Sequence, residues 1–321
     1  MPESSGRSLS VVVPTRDTRA LTLRCLAALA AELPPDAEVI VVDDGSRDDT
    51  VAVLAATHSA ARVVRLAPAR GFSAAANAGL SVATGELLWL LNSDTEVKPG
   101  AVAALRAAFA RNDRLGAAGP LLVAPDGSPQ WSGGRVPNAR WLFALASGGA
   151  PLAARVPGYR RRRPVSGHDG RPVEWIPGTA LVMRAAAWRE VGPFDETLAL
   201  YGQDLDWGIR LRAVGWGVAL VPAARVVHVG GATVERVRAA TTAGQDVVAL
   251  WTDLVRVLAK QGGPAAGAGA ARALVAGATL RLAARRLVRP FVAVKRRTRW
   301  DHDTTMYARA VAAVRRAPSA S

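Results

Sequence analysis

The stretch Leu87-Leu88-Trp89-Leu90-Leu91-Asn92-Ser93-Asp94 runs five large apolar residues straight into three polar ones. A short apolar run with polar boundaries reads as a buried strand. Continuous runs of this kind suit a parallel sheet covered on both faces by helices. In an open α/β sheet, ligands collect just outside the carboxyl ends of the strands. Asp94 thus stands where a carboxylate can bind a metal ion that neutralises a diphosphate. The alternative is that it merely caps the next turn.

Two further runs end the same way: Leu9-Ser10-Val11-Val12-Val13 enters Pro14-Thr15-Arg16-Asp17, and Val39-Ile40-Val41-Val42 enters Asp43-Asp44-Gly45-Ser46. Helical patterns lie between them. Residues 18–33 place Leu26, Leu29 and Leu33 on one face, and residues 48–57 open with Asp48 and Asp49, where the helix dipole favours acids. Residues 73–83 are Ala-rich, and 99–111 start with Pro99 in the first turn. The order β-α-β-α-β-α-β-α predicts an α/β fold with a doubly wound sheet. Asp and Gly are also ordinary turn residues, so Asp43-Asp44-Gly45-Ser46 alone fits a plain turn and helix cap equally well.

At 321 residues the chain allows one large domain plus an appendage, and with half its residues hydrophobic it can pack a core. The single cysteine, Cys25, excludes an intramolecular disulfide and reads as a small buried apolar residue. No basic-then-apolar leader precedes the first strand, so the expected location is cytoplasmic. The net charge of +15 is uneven: residues 260–321 hold 13 Lys/Arg and two acids, whereas the rest of the chain is near neutral.

Seven motifs stand in order: Val11-Val12-Val13-Pro14-Thr15-Arg16, Val41-Val42-Asp43-Asp44-Gly45-Ser46, Gly71-Phe72-Ser73-Ala74-Ala75-Ala76-Asn77-Ala78-Gly79, Asn92-Ser93-Asp94, Val191-Gly192-Pro193-Phe194-Asp195-Glu196, Gln203-Asp204-Leu205-Asp206 and Val227-His228-Val229-Gly230-Gly231. Over roughly residues 8–232 the chain resembles glycosyltransferase family 2, with its GT-A nucleotide-sugar fold, and in particular the bacterial rhamnosyltransferase-like members. The resemblance implies a Rossmann-like nucleotide-sugar half (8–123), an acceptor half (173–232) within a mixed sheet, and a basic helical extension (233–321).

It also implies roles. Asp44 accepts a hydrogen bond from a uracil or thymine ring, with Pro14, Thr15 and Arg16 near the base and Asp43 orienting the turn. Gly71 and the small residues after it let the helix approach sheet and nucleotide; Asn77 either bonds the sugar nucleotide or braces a strand end, and Arg70 either meets a phosphate or is a solvated surface residue. The family's DxD motif appears as Asn92-Ser93-Asp94, its first acid replaced by an amide. Asp94 then holds Mg²⁺ or Mn²⁺ together with diphosphate oxygens, and His228 is a second ligand or a packed core histidine.

On the acceptor side, Gly178 and Thr179 approach the donor sugar after the break in Trp175-Ile176-Pro177-Gly178-Thr179. Asp204 is the candidate general base, or a helix first-turn residue; inverting transfer needs a single carboxylate, unlike the paired carboxylates of glycosidases. Gln203 replaces the family's Glu. Trp207 either lines a sugar subsite or belongs to the core.

Residues 124–172 read as a long Gly-, Pro- and Arg-rich loop with Arg160 to Arg163 in a row. Residues 264–294 read as an Arg-rich apolar helix, suited to the interface of an anionic membrane or to packing on the catalytic domain. Nucleic acid is not expected as a partner: there is no aromatic–basic interleaving, zinc motif or helix-turn-helix pattern. The expected activity is inverting, metal-dependent transfer of a sugar, such as rhamnose, from a nucleoside diphosphate donor. The acceptor is a hydroxyl of a cell-envelope or lipid-linked glycan, at the inner face of the membrane. A non-catalytic sugar-nucleotide or glycan-binding protein is the alternative.

Overall fold

The computed structural model describes residues 8–149, 165–166, 172–198, 201–229 and 246–316. Arg160 to Arg163, and the Gly230-Gly231 end of the last motif, lie outside the described residues. By packing, the described residues form two units: 8–134, 165–166, 172–198 and 203–229 in the first, and 135–149, 201–202 and 246–316 in the second.

The first unit is built on an eight-stranded sheet. Strands β1 (Leu9–Thr15), β2 (Glu38–Asp44), β3 (Arg62–Leu66) and β4 (Leu87–Leu91) are joined by helices α1 (Arg19–Ala30), α2 (Thr50–Thr57) and α3 (Phe72–Val82). They pair in parallel in the order β3-β2-β1-β4. The sheet continues through β9 (Ala180–Arg184), β6 (Leu115–Val123), β10 (Gly217–His228) and β5 (Thr95–Val97), with β9 antiparallel to both neighbours. Helix α4 (Ala101–Arg111) precedes β6, α6 (Ala185–Val191) follows β9, and α7 (Gln203–Ala213) precedes β10. This is the mixed α/β sheet of a GT-A fold.

Alternation along each strand feeds two cores, one per sheet face, because successive strand side chains point to opposite faces. Val11, Val13, Leu87, Trp89 and Leu91 pack with Leu26, Leu29, Leu105 and Phe109. Val12, Ile40, Val42, Leu88 and Leu90 pack with Ala75, Ala76, Leu80 and Trp207. Helix α3 lies so close to the sheet that a Cβ built on Gly79 would sit 2.3 Å from Val12 Cγ1 and 2.7 Å from Val42 Cγ2. The small residues of this helix are what permit that approach.

The expected long loop over 124–172 is not a loop throughout. Its described part holds β7 (Trp131–Gly133), paired with β8 (Val165–Ser166), and helix α5 (Ala139–Ser147). Asn138 starts α5 by accepting a hydrogen bond from the Trp141 N–H, a cap that satisfies a free donor of the first turn. Composition hid this helix, since Gly, Pro and Arg dominate the segment around it.

The second unit contains α5, α8 (Val247–Val288) and α9 (Val294–Arg316). Asp246 caps α8 through the N–H groups of Val248 and Ala249. The helix kinks at Gly263, whose φ of 77° lies in the left-handed region, directly before Pro264; proline removes a helical donor and forces the break. A Cβ on Gly277 would stand 2.5 Å from the Phe143 carbonyl oxygen, so α8 packs on the α5 backbone. No helix of the described residues is long and apolar enough to cross a membrane.

Candidate active site

Strand register gathers the polar motifs at one sheet edge. Val12 pairs with Leu90 and Thr15 with Asp43, so β1, β2 and β4 end side by side. Leu91 opposes Ala180 on antiparallel β9, and the Asn92 N–H donates to the Thr179 carbonyl at 2.9 Å. That places Gly178 and Thr179 beside the Asn92-Ser93-Asp94 turn. On the other flank β10 runs antiparallel to β5 with His228 opposite Thr95, and the Val229 N–H donates to the Asp94 carbonyl. Residues 94 and 228, distant in sequence, therefore become neighbours: Asp94 Oδ2 and His228 Nε2 are 3.4 Å apart, and both side chains are largely buried.

The imidazole is held from behind. Gln130 Oε1 lies 2.8 Å from His228 Nδ1, and Gln130 Nε2 donates to the His228 carbonyl at 2.9 Å. The second bond fixes which end of the amide is oxygen. An amide oxygen can only accept, so Nδ1 is the nitrogen that donates to Gln130, and Nε2 is the nitrogen that faces Asp94. Sequence reading missed Gln130, because an isolated Gln in a turn-rich segment carries no motif.

Asp204 lies in the first turn of helix α7. Its Oδ2 accepts the Gly178 N–H at 2.9 Å and its Oδ1 accepts the Leu205 N–H at 2.8 Å. Surrounding protein strips water from the carboxylate, and this desolvation raises its pKa above the ordinary aspartate value, against the pull of the backbone donors. Gln203 beside it is buried, and its Oε1 has no hydrogen-bond partner among the described residues. Asn92 Oδ1 is likewise buried without a partner. These are the two amides that stand where the family pattern has acids.

The nucleotide side is stitched together by short polar contacts. Asp44 accepts the N–H groups of Arg70 (2.6 Å) and Gly71 (3.0 Å), and Arg16 approaches it at 4.0 Å. A carboxylate offers about four acceptor directions, so Asp44 retains capacity for a base. Gly71 has a φ of 94° and opens α3. Asp43 accepts the Ser46 N–H and orients the turn. Asp17 links the strand ends, its N–H donating to Ser46 Oγ and its carboxylate accepting the Arg47 N–H.

Several expected contact residues turn inward. Pro14 is buried within β1, paired to Val42. The Thr15 hydroxyl bonds Thr18 and Thr22, and Thr18 in turn bonds Ser93. Thr15 and Ser93 thus brace two strand ends and do not present their hydroxyls freely. Asn77 spends its amide on the acceptor loop: it donates to the Phe194 carbonyl and to Glu196, and accepts the Phe194 N–H. Of the two readings of Asn77, the brace is the one its contacts match, although the end it braces is a loop and not a strand. Trp207 is also corrected as an acceptor-side residue. It is 1% exposed, donates its indole N–H to the Gly192 carbonyl, and packs with Trp188 and Phe194. Its large apolar area is worth more inside the core than on a wet subsite. Arg70 meets Glu196 at 2.8 Å on the surface.

Among the described residues no cluster of three His, Cys, Asp or Glu side chains could hold a metal ion. Asp94 and His228 do fit one as a mixed O/N pair: they converge, and Gln130 engages Nδ1 so that Nε2 is the ring nitrogen turned toward the carboxylate. Such a pair leaves coordination positions for diphosphate oxygens and water.

Comparison with known proteins fits this geometry. The family described as "Glycosyl transferase family 2" matches residues 10–166. An N-acetylglucosaminyl-diphospho-decaprenol L-rhamnosyltransferase of Mycobacterium tuberculosis is 32% identical over 225 residues, covering 64% of this chain and 70% of its own. Among solved structures, a mannosyltransferase from Pyrobaculum calidifontis in complex with GDP-Man and Mn²⁺ superposes with a TM-score of 0.56 at 18% identity, covering 97% of this chain and 86% of that one. GalNAc-T7 with UDP, GalNAc and Mn²⁺ gives 0.52 at 18% identity, covering 69% and 43%. At that identity the two structures speak for the fold, and the rhamnosyltransferase carries the kinship: this chain is a glycosyltransferase and belongs to glycosyltransferase family 2.

Proposed function

We propose that the protein is an inverting, metal-dependent glycosyltransferase that moves a sugar, rhamnose in the first instance, from a pyrimidine nucleoside diphosphate to a hydroxyl of a lipid-linked or cell-envelope glycan, working at the cytoplasmic face of the membrane. The observation that carries this reading is the convergence of the Asp94–His228 pair and the Gly178-anchored Asp204 at one sheet edge. The sugar and acceptor follow from the likeness to the mycobacterial enzyme, whose name specifies both.

Asp44, held by two backbone donors, would accept the imide N–H of the base. Asp94 and His228 would hold the divalent metal, which as a Lewis acid stabilises the departing diphosphate. Asp204 would then act as general base. As the acceptor oxygen forms its bond to the anomeric carbon, the bond from that carbon to the diphosphate oxygen breaks, and the acceptor proton passes to Asp204. Attack opposite the leaving group inverts the anomeric configuration. Burial raises the Asp204 pKa, which makes the carboxylate a better proton acceptor than an ordinary aspartate.

The unpartnered Gln203 Oε1 and Asn92 Oδ1 support the same reading. A buried acceptor left unpaired costs about 1–3 kcal/mol, a cost relieved when a ligand hydroxyl or bound water donates to it. Replacing acid by amide keeps one acceptor oxygen, turns the other into an NH2 donor and removes the charge.

The test is thermal stabilisation by UDP, dTDP and GDP, with and without Mn²⁺. A metal-dependent shift by a pyrimidine diphosphate that disappears in Asp94→Ala is the expected result. A shift indifferent to metal would overturn the metal assignment, and a product with the donor's anomeric configuration would overturn inversion.

A further inference from the structure

The second unit carries an exposed surface made of residues outside the site described above. Helix α8 ends, turns through Arg289–Phe291, and α9 begins at Val294. At this tip Leu287 is 76%, Phe291 87% and Val294 77% exposed, and Leu280, two turns earlier on the same stripe, is 56% exposed. Scattered apolar residues on a surface are ordinary, but a contiguous group is not.

The cations around the tip divide into two sets. One set pins the hairpin. Arg285 bonds the Thr304 hydroxyl and the Trp300 carbonyl, with its guanidinium 3.9 Å from the Trp300 ring centroid. Arg289 makes a two-pronged pair with Asp301, Arg297 caps the Val292 carbonyl, and Arg281 lies over Tyr307. The other set, Arg286, Lys295, Arg296 and Arg299, is exposed and makes no ion pair among the described residues. From 281 to 299 the chain has eight basic residues and no acid. The tip is therefore a built projection, apolar at its end and ringed by free positive charge.

We propose that this hairpin tip docks on an anionic lipid bilayer, with Leu287, Phe291 and Val294 entering the acyl boundary and Arg286, Lys295, Arg296 and Arg299 meeting lipid phosphates. Apolar insertion and attraction to anionic headgroups are the two contributions that hold a peripheral protein at the interface. Charge complementarity selects this partner over a second copy of the chain, whose own tip carries the same positive charge. Exposed Leu, Phe and Val at the centre of the patch favour lipid over nucleic acid, for which phosphate contacts alone would suffice. The inference stands apart from the transfer mechanism and does not depend on donor or metal.

The experiment is co-sedimentation of the full chain with vesicles of phosphatidylcholine alone and of phosphatidylcholine mixed with phosphatidylglycerol. Binding to the mixed vesicles only is expected. It should fall roughly tenfold or more in Leu287→Ser/Phe291→Ser/Val294→Ser and again in Arg286→Gln/Lys295→Gln/Arg296→Gln/Arg299→Gln, both with unchanged circular dichroism melting. Failure to bind either vesicle, or binding that survives both sets of substitutions, overturns the proposal. So does light scattering that shows the apolar substitutions dissolving a dimer, or binding to RNA in place of vesicles.

Discussion

Gln130 grips His228 at two points, the ring Nδ1 through Oε1 at 2.8 Å and the main-chain carbonyl through Nε2 at 2.9 Å. One side chain thereby sets both the tautomer and the tilt of the ring. Outer-shell partners of this kind typically change metal affinity about 10–100-fold when removed. Gln130→Leu should weaken Mn²⁺ binding, read by electron paramagnetic resonance in the presence of a nucleoside diphosphate, by about that factor. Metal-free nucleotide binding should stay put. Unchanged Mn²⁺ affinity would reduce Gln130 to a packing residue.

Asp204→Asn should lower the transfer rate by about 10²–10⁴ with little change in donor affinity. The pH profile gives a second check. The carboxylate works when deprotonated, and burial raises its pKa above 3.8. Activity should therefore rise with pH through a value above that of an ordinary aspartate, and the limb should vanish in the variant. For stability the sign runs the other way. A raised folded-state pKa means the native state holds this proton more tightly than the unfolded chain, so its contribution is full at acid pH and is lost as pH rises through the raised value.

Gly79→Ala should destabilise the first unit by about 1–3 kcal/mol, measured by urea unfolding. The added methyl would fall 2.3 Å from Val12 Cγ1 and 2.7 Å from Val42 Cγ2, and both are fully buried β-branched residues of core strands with stiff side chains. The same change at Gly100, where nothing lies within 4 Å of a built Cβ but φ is +80°, would act through backbone strain instead.

Asn77 and Arg70 both reach the 194–196 loop, but they should not matter equally. Asn77 makes three hydrogen bonds there, two of them with the Phe194 backbone, and Asn77→Ala should cost about 1–3 kcal/mol by orphaning partners. The Arg70–Glu196 pair is half exposed on both sides, and Arg70→Gln should cost about 0–1 kcal/mol. Equal losses in thermal unfolding would contradict this ranking.

Much of the scaffold was legible because burial leaves a pattern. Leu87 to Leu91 could only be an interior strand, and the polar turn after it marks the site in sequence as in space. Edge strand β3, Arg-Val-Val-Arg-Leu, is short and interrupted by charge, and β5 hides within the three residues after Asp94, so neither announces itself. The pairing of β5 with β10 is a long-range fact, and it alone makes Asp94 and His228 neighbours. Gln130, the inward turn of Thr15, the brace by Asn77 and the interior place of Trp207 depend on rotamers and neighbours. A residue's type tells what it can bond, whereas its fold decides what it does bond.

Cys25 sits beneath the Asn92 carbonyl and Thr95, and burial pushes its thiol up to about 12. Being the chain's one cysteine, and protonated and enclosed at neutral pH, it offers nothing to an alkylating reagent, which needs accessible thiolate. For chemical labelling the natural protein already behaves as a cysteine-free background. A cysteine introduced at Phe291 or at Arg16 would be the single point of attachment for a dye or spin probe, with no native residue to remove first.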